Sequence, residues 1–228
     1  YQYWAERLHA YAEGAALAQE RAYWTRAELA SAPRLPLDHR ASAADNTTRQ
    51  LGIATISLDC DRTRALLERV HAAYNTQMDD VLLCALARAC REWTGGERQL
   101  IHLEGHGREA LFEDVDLGRT VGWFTTLYPV LLELKSLDPG RALCAVKEQL
   151  RAVPRKGIGF GLLRYLPGAG LEDTKGAEIS FTYLGQLDPT LDARAQFGFA
   201  REQTGAEMND DERRVHLLDV AARIHDKQ

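Results

Sequence analysis

The sequence predicts a layered α/β (α+β) sandwich, and three observations predict it. Apolar residues recur at helical spacing in some stretches and at strand spacing in others, the two kinds of stretch alternate along 228 residues, and no internal repeat or low-complexity tract interrupts them. Hydrophobic residues make up 45% and charged residues 27%, so a core of useful size can be buried. The length suits one large domain or two small ones.

Element by element, Tyr3 to Glu28 reads as one long helix, with Trp4, Leu8, Tyr11, Ala15 and Ala22 near helical spacing and no proline among them. Pro33 and Pro36 mark an extended connection from Ser31 to about Asn46, because proline lacks a backbone donor and restrains its predecessor. Leu51, Ile53 and Ile56 among threonines and serines predict a strand over Arg49 to Leu58. Asp59 is placed to cap a helix carrying Leu66, Leu67, Val70 and Tyr74, and Thr76 to cap a more apolar one through Val81, Leu82, Leu83, Leu86 and Ala89. Further strands are expected at Gln99 to Leu103, Trp123 to Leu134, Ala177 to Leu184 and Arg214 to Ala222, and an amphipathic helix from Asp138 to Val153.

Composition excludes several function classes. The net charge is -5 and no basic block occurs, whereas binding to a phosphate backbone relies on clustered cations, so nucleic acid is not an expected partner. The longest apolar runs fall far short of the roughly 20 residues that span a bilayer, and no membrane association is expected. Tyr1 to Glu6 has neither the basic flank nor the apolar stretch of a secretion signal, and without an initiating methionine the chain reads as an excised piece of a cytoplasmic protein. Cys60, Cys84, Cys90 and Cys144 are not paired at CxxC spacing and are expected to be buried free thiols, with Cys84 and Cys144 inside apolar helical patterns. No histidine and cysteine cluster has zinc spacing, so no metal and no cofactor are expected in this chain.

Four stretches carry candidate chemistry. Glu104-Gly105-His106-Gly107-Arg108-Glu109 follows a predicted strand and crowds carboxylates, an imidazole and a guanidinium into a low-bulk turn. A carboxylate held there can act as a general base, and a solvated turn with a local glutamate–arginine pair is the plainer alternative. Arg119 to Val130 is rich in aromatics, better suited to core or pocket wall than to catalysis. Pro154 to Gly161 spaces glycines at alternate positions beside Arg155 and Lys156, a weak echo of a phosphate cradle. Phe181 to Gln186 ends a strand with the phenol of Tyr183.

Taken in order, these stretches resemble the signature motifs of epimerization domains of nonribosomal peptide synthetases: NDxLLxA, EGHGRE, RTVGWFTxxYPV, PxxGxGYG and FNYLGQ. The chain gives Asn75 followed by Asp80 to Ala85, then EGHGRE at 104–109, RTVGWFTTLYPV at 119–130, PRKGIGFG at 154–161 and FTYLGQ at 181–186. The resemblance implies the second of two lobes of a chloramphenicol acetyltransferase-like fold, with 1–48 as inter-lobe helix and loop and 49–228 as the C-terminal lobe. It implies inversion at the α-carbon of an aminoacyl or peptidyl thioester on the phosphopantetheine arm of a peptidyl carrier protein. Expected partners are that carrier, the domain's own N-terminal lobe and the neighbouring modules.

Carried onto this sequence, the resemblance makes Glu104 one acid/base group, with Arg108 and Tyr183 as further catalytic candidates. Arg108 would orient Glu104 or hold its charge, and Tyr183 would donate to the enolate oxygen or carry a proton. His106, Trp123, Thr125 and Thr182 would line the substrate tunnel, His106 as a structural support. The other acid/base group of the family is the second histidine of HHxxxDG, which this chain lacks: His9, His39, His71, His102, His106, His216 and His225 all stand apart. Thr182 replaces an asparagine and Phe160 a tyrosine of the family pattern. Two alternatives remain beside the epimerase lobe, a lobe of an amide-forming condensation domain and a non-catalytic lobe that docks a carrier. The chain alone is expected to be inactive, and its open lobe face prone to association.

Overall fold

The computed structural model describes residues 1–39, 42, 45–166, 171, 176–186, 202, 205 and 208–225. Along the chain run α1 (Gln2–Ala12), α2 (Ala15–Trp24), α3 (Ala27–Ala30), α4 (Cys60–Ala65), a π-helical turn Leu66–Val70, α5 (His71–Tyr74), α6 (Met78–Thr94), β1 (Arg98–Gly105), β2 (Thr126–Glu133), α7 (Pro139–Arg151), α8 (Ile158–Tyr165), β3 (Ile179–Gln186) and β4 (Leu218–Ile224). The strands form one sheet in the order β2-β1-β3-β4, with β1 and β2 antiparallel and the β1–β3 and β3–β4 pairs parallel.

Alternation along each strand divides the sheet into two faces. On one face, Ile101, Leu103, Tyr128, Val130, Leu132, Ile179 and Phe181 join Leu83 and Ala87 of α6, Val146 of α7, Phe160 and Leu163 of α8, and Leu17 and Trp24 of α2 in the main core. Leu83, Ala87 and Cys90 recur at i, i+4 and i+7, so a single stripe of α6 is buried. Burying a leucine as fully as Leu83, at 1% exposure, contributes on the order of 2 kcal/mol. On the opposite face, Leu29, Ala32, Leu100 and Ala177 pack together at one end, and Glu104, Thr182, Asp219 and Ala221 stay exposed or half-exposed.

Several elements differ from expectation. The first long helix is three, broken at Glu13–Gly14 and at Thr25–Arg26. Among the described residues Arg49 to Leu58 pairs with no strand, and an isolated bridge from Thr47 to Arg213 lies just before it. The helix expected to be capped by Thr76 is capped one residue later, where Gln77 and Asp80 exchange bonds in a capping box. The glycine-rich 154–161 stretch is a tight turn followed by α8, because Gly159 sits where a Cβ would come within 2.1 Å of the Glu20 carboxylate on α2. Leu17 and Trp24 of α2 lie in the main core. Cys84 and Cys90 are buried, and burial pushes both thiols up, whereas Cys144 is exposed.

Asp59 caps α4 through a 2.8 Å bond to the Arg62 amide, and Asp138 caps α7 through 2.9 Å to the Arg141 amide, both as expected.

A histidine pair joins β1 to the segment just before β4. His102 Nδ1 lies 2.8 Å from His216 Nε2, and His216 Nδ1 lies 3.2 Å from Asp219, which also accepts from Ser180 at 2.5 Å and Arg214 at 2.7 Å. The Ala177 amide donates to His102 Nε2 at 3.5 Å, so the network assigns the His102 proton to Nδ1 and the His216 proton to Nδ1. Burial, with His216 and Arg164 adding to it, takes His102 from the ordinary 6.5 down to about 4. Burial also lowers His216, against the pull of Asp219. The folded protein therefore refuses a proton that the unfolded chain accepts below about pH 6.5, and stability present above that pH falls as pH drops towards 4. Burial works to raise Asp219, but the Ser180 and Arg214 bonds outweigh it and hold the carboxyl low, so its contribution is lost only at still lower pH. For His102 the full swing is about 3 kcal/mol. Urea midpoints measured from pH 7.5 to 4.5 should fall with that sign, and His102→Gln should flatten the fall. An equal slope in the variant would rule the pair out as its source.

Candidate functional site

Glu104 stands near the end of β1, opposite Leu127 of β2 and level with Thr182 of β3. This register puts the two side chains on the exposed sheet face, where Thr182 Oγ1 donates to Glu104 Oε2 at 2.7 Å. The carboxylate is thereby oriented by a neighbouring strand while its other oxygen is left to act.

The turn that follows is held from several sides. Gly107 has φ +67, and a Cβ there would lie 1.6 Å from the Phe124 carbonyl oxygen, so only glycine lets the 104–109 turn lie against the start of β2. His106 Nδ1 accepts from the Arg108 amide at 2.9 Å, which leaves Nε2 to donate to Glu109 at 3.2 Å. Lys156 reaches the other Glu109 oxygen at 3.3 Å. Arg155 and Lys156 hold left-handed φ values of 45 and 47, a conformation costing about 1–3 kcal/mol per residue, just before Gly157 at φ +82.

Arg108 does not pair with either glutamate of its motif. Its guanidinium donates to the carbonyls of Leu117 at 2.5 Å, Thr120 at 2.9 Å and Gly122 at 3.3 Å, and lies 4.2 Å from the Phe124 ring centre. Charge-assisted bonds to three carbonyls fix the 117–124 loop. The local glutamate–arginine pair read from composition is thus replaced by a loop clamp. Trp123 and Val121, on the clamped loop, point outward at 80% and 94% exposure, whereas Phe124 and Tyr128 are buried. Thr125 is half-buried at the head of β2.

Alternation places Tyr183 on the face opposite Thr182, packed against the main core. Burial, and then the charge of Asp79, push its phenol up, so at neutral pH it is a proton donor rather than a phenolate. Asp79 is the residue that sequence reasoning passed over. It lies in the first turn of α6, and burial and Asp80 raise its carboxyl against the opposing pull of Lys156 and His106. It acts on Tyr128 as well, whose phenol burial pushes up to about 12. The available signal was an acidic residue one position before the Asp80 of the motif. Glu104 and Thr182 are thus brought into contact, and Tyr183, Asp79, His106, Glu109 and Lys156 gather around the sheet end behind them.

The condensation-domain family model matches residues 1–227. The chain belongs to that family. It is similar to a linear gramicidin synthase protein of Brevibacillus parabrevis, 47% identical over 99% of this chain and 3% of that protein. It is also similar to surfactin synthase subunit 1 of Bacillus subtilis (strain 168), 39% identical over 97% of this chain and 6% of that protein. Among solved structures, the epimerization domain from the third module of tyrocidine synthetase B aligns over 98% of this chain and 50% of its own, with 37% identity and a TM-score of 0.87. The first condensation domain of the CDA synthetase shares the fold, at 20% identity over 78% of this chain and 36% of its own, with a TM-score of 0.54. This condensation-family chain therefore has the chloramphenicol acetyltransferase-like fold, and spans half of the epimerization domain it matches. No described helix is long and apolar enough to cross a membrane.

Within the condensation-family lobe, Thr182 contacts Glu104 from a position where the epimerization pattern has asparagine. Thr182→Val keeps the shape and removes the donor. Because a hydrogen bond to a charged group contributes about 1.5–3 kcal/mol when protected, and less when exposed, turnover in the parent enzyme should fall about tenfold. Thr182→Asn should retain most of it. Equal rates for Thr182→Val and the unaltered enzyme would show that Glu104 needs no orienting.

Proposed function

We propose that this chain is the C-terminal lobe of an epimerization domain, which inverts the α-carbon of an aminoacyl or peptidyl thioester carried on the phosphopantetheine arm of a peptidyl carrier protein. The observation that carries the reading is Glu104, held by Thr182 on the open face of the sheet within an EGHGRE–RTVGWFT sequence. The likeness to the tyrocidine epimerization domain supports it, at 37% identity against 20% for a condensation domain.

The α-proton of a thioester is weakly acidic, and its removal needs a positioned base and stabilisation of the charge that develops. In this reading one acid/base group takes the α-proton, and the electron pair of the C–H bond passes to the carbonyl oxygen as an enolate. The other, on the opposite side, returns a proton to the α-carbon as the carbonyl re-forms. Glu104 is one of the two groups, and a histidine of the other lobe is the second. Arg108 is a positioning residue that fixes the loop beside Glu104, and Tyr183 a protonated phenol behind it. The reading invokes no cofactor or metal in this lobe. The carrier protein, the other lobe and the neighbouring modules are its partners, and the compartment is the cytoplasm.

Chiral analysis of the acyl group released from the carrier, comparing the parent module with Glu104→Gln, tests the reading. An unchanged ratio of D to L, reached at an unchanged rate, would identify a lobe that only docks a carrier.

A further inference from the structure

We infer that Lys156 is a positioning residue for Glu104: from a strained turn it holds the Glu109 carboxylate, and through Glu109 and His106 it fixes the backbone that carries Glu104. The inference rests on the epimerase reading of Glu104.

The path from one residue to the other is continuous. Lys156 Nζ lies 3.3 Å from one oxygen of Glu109, and His106 Nε2 lies 3.2 Å from the other. One carboxylate thus ties two turns together. His106 Nδ1 accepts from the Arg108 amide at 2.9 Å, so the imidazole cannot rotate without breaking both of its contacts. The linkage works with a neutral ring, one nitrogen donating and the other accepting. His106 follows directly on the last residue of β1, two positions after Glu104.

Lys156 can serve as the fixed end because its own turn is seated on β2. A Cβ on Gly157 would lie 2.0 Å from the Tyr128 ring, so the backbone is pressed onto that side chain, and Tyr128 belongs to the main core. Elsewhere along the 104–109 turn, Gly107 meets the Phe124 carbonyl and Arg108 clamps the 117–124 loop. The turn that follows Glu104 is therefore gripped at two places, by Arg108 and by Lys156.

Stability does not account for this arrangement. Arg155 and Lys156 both hold left-handed φ values, 45 and 47, which residues with a Cβ adopt only at a cost. The ion pair that Lys156 makes is open to water on the lysine side, at 63% exposure against 22% for Glu109, and such pairs contribute little to folding. A glycine at 156 would relieve the strain and lose only that weak pair. What lysine supplies and glycine does not is a charge that holds Glu109 in place. Strain without a matching gain in stability is found where a site needs a fixed geometry.

Lys156→Gly in the parent synthetase module tests this, because strain and position pull in opposite directions. D-product formation should slow by about tenfold or more, since a small displacement of a reacting group has effects of that size. Protection of the β1 and β2 amides from hydrogen exchange should be unchanged or higher. Lys156→Arg keeps the cation and should retain most of the rate. An unchanged rate in Lys156→Gly would overturn the inference. So would slowing accompanied by lost amide protection, the outcome of a merely structural role, and so would equal slowing by Lys156→Arg and Lys156→Gly. If Glu104→Gln leaves the rate unchanged, the epimerase reading fails and the inference with it. If Glu104→Gln slows the reaction and Lys156→Gly does not, the inference alone fails.

Discussion

In the parent module, Glu104→Gln should lower the rate of D-product formation by about 10²–10⁴-fold, the range a positioned general base contributes. The substitution keeps the size of the side chain and still lets Thr182 Oγ1 donate to its remaining carbonyl oxygen, so the local fold is preserved. On the proposed epimerase reading, what is lost is the basic carboxylate that takes the α-proton. Loading of the carrier should be unchanged, because the adenylation and transfer of the amino acid do not pass through this carboxylate. The readout is the time course of the D:L ratio on the carrier, started from L substrate and separately from D substrate. A group that takes the proton in one direction returns it in the other, so its loss slows both approaches equally, since a catalyst cannot move the equilibrium ratio. If only amide formation failed, with stereochemistry intact, the lobe would be that of a condensation domain.

How far the sequence reveals this molecule depends on whether a residue acts through its neighbours in the chain or through distant ones. Asp59 and Asp138 cap their helices with amides three residues on, so both starts are legible from local chemistry. The buried stripe of α6 and the core side of β1 are legible for the same reason, as a periodicity of apolar residues. The break at Gly14 is not, because α1 and α2 share a helical pattern and their separate directions come from packing. Nor is α8, whose glycines read as a turn until Gly159 is seen against Glu20.

The site divides likewise. EGHGRE marks Glu104 by resemblance to a family, but nothing local to Arg108 says that it turns from the glutamates to the carbonyls of Leu117, Thr120 and Gly122. The contact between Thr182 and Glu104 joins residues 78 positions apart and exists only through the β1–β3 register. The 51–58 stretch is the reverse case: its apolar residues read as a strand, yet among the described residues no strand pairs with it.

Replacing Gly107 by alanine should be the most damaging single-methyl change in the lobe. Two costs combine at that position. The φ of +67 is open to glycine and penalises any residue with a Cβ by about 1 kcal/mol or more. The added carbon would also lie 1.6 Å from the Phe124 carbonyl oxygen, far inside contact distance, and that atom is backbone. A side chain could rotate away, but here the whole start of β2 has to move, and overpacking of this kind costs typically about 1–3 kcal/mol and occasionally more. Together the loss is about 2–5 kcal/mol, a large share of the roughly 5–15 kcal/mol that holds a domain folded. Urea unfolding should show a lowered midpoint at unchanged slope. If the lobe survives by shifting Phe124, the Arg108 clamp on that loop shifts with it, and D-product formation should fall although Glu104 is intact. Gly118→Ala provides the comparison, since its Cβ would meet only the Asp116 side chain, at 3.1 Å, which can move aside. A midpoint for Gly107→Ala as high as that of Gly118→Ala would mean that the 104–109 turn is not pressed against β2 as its geometry requires.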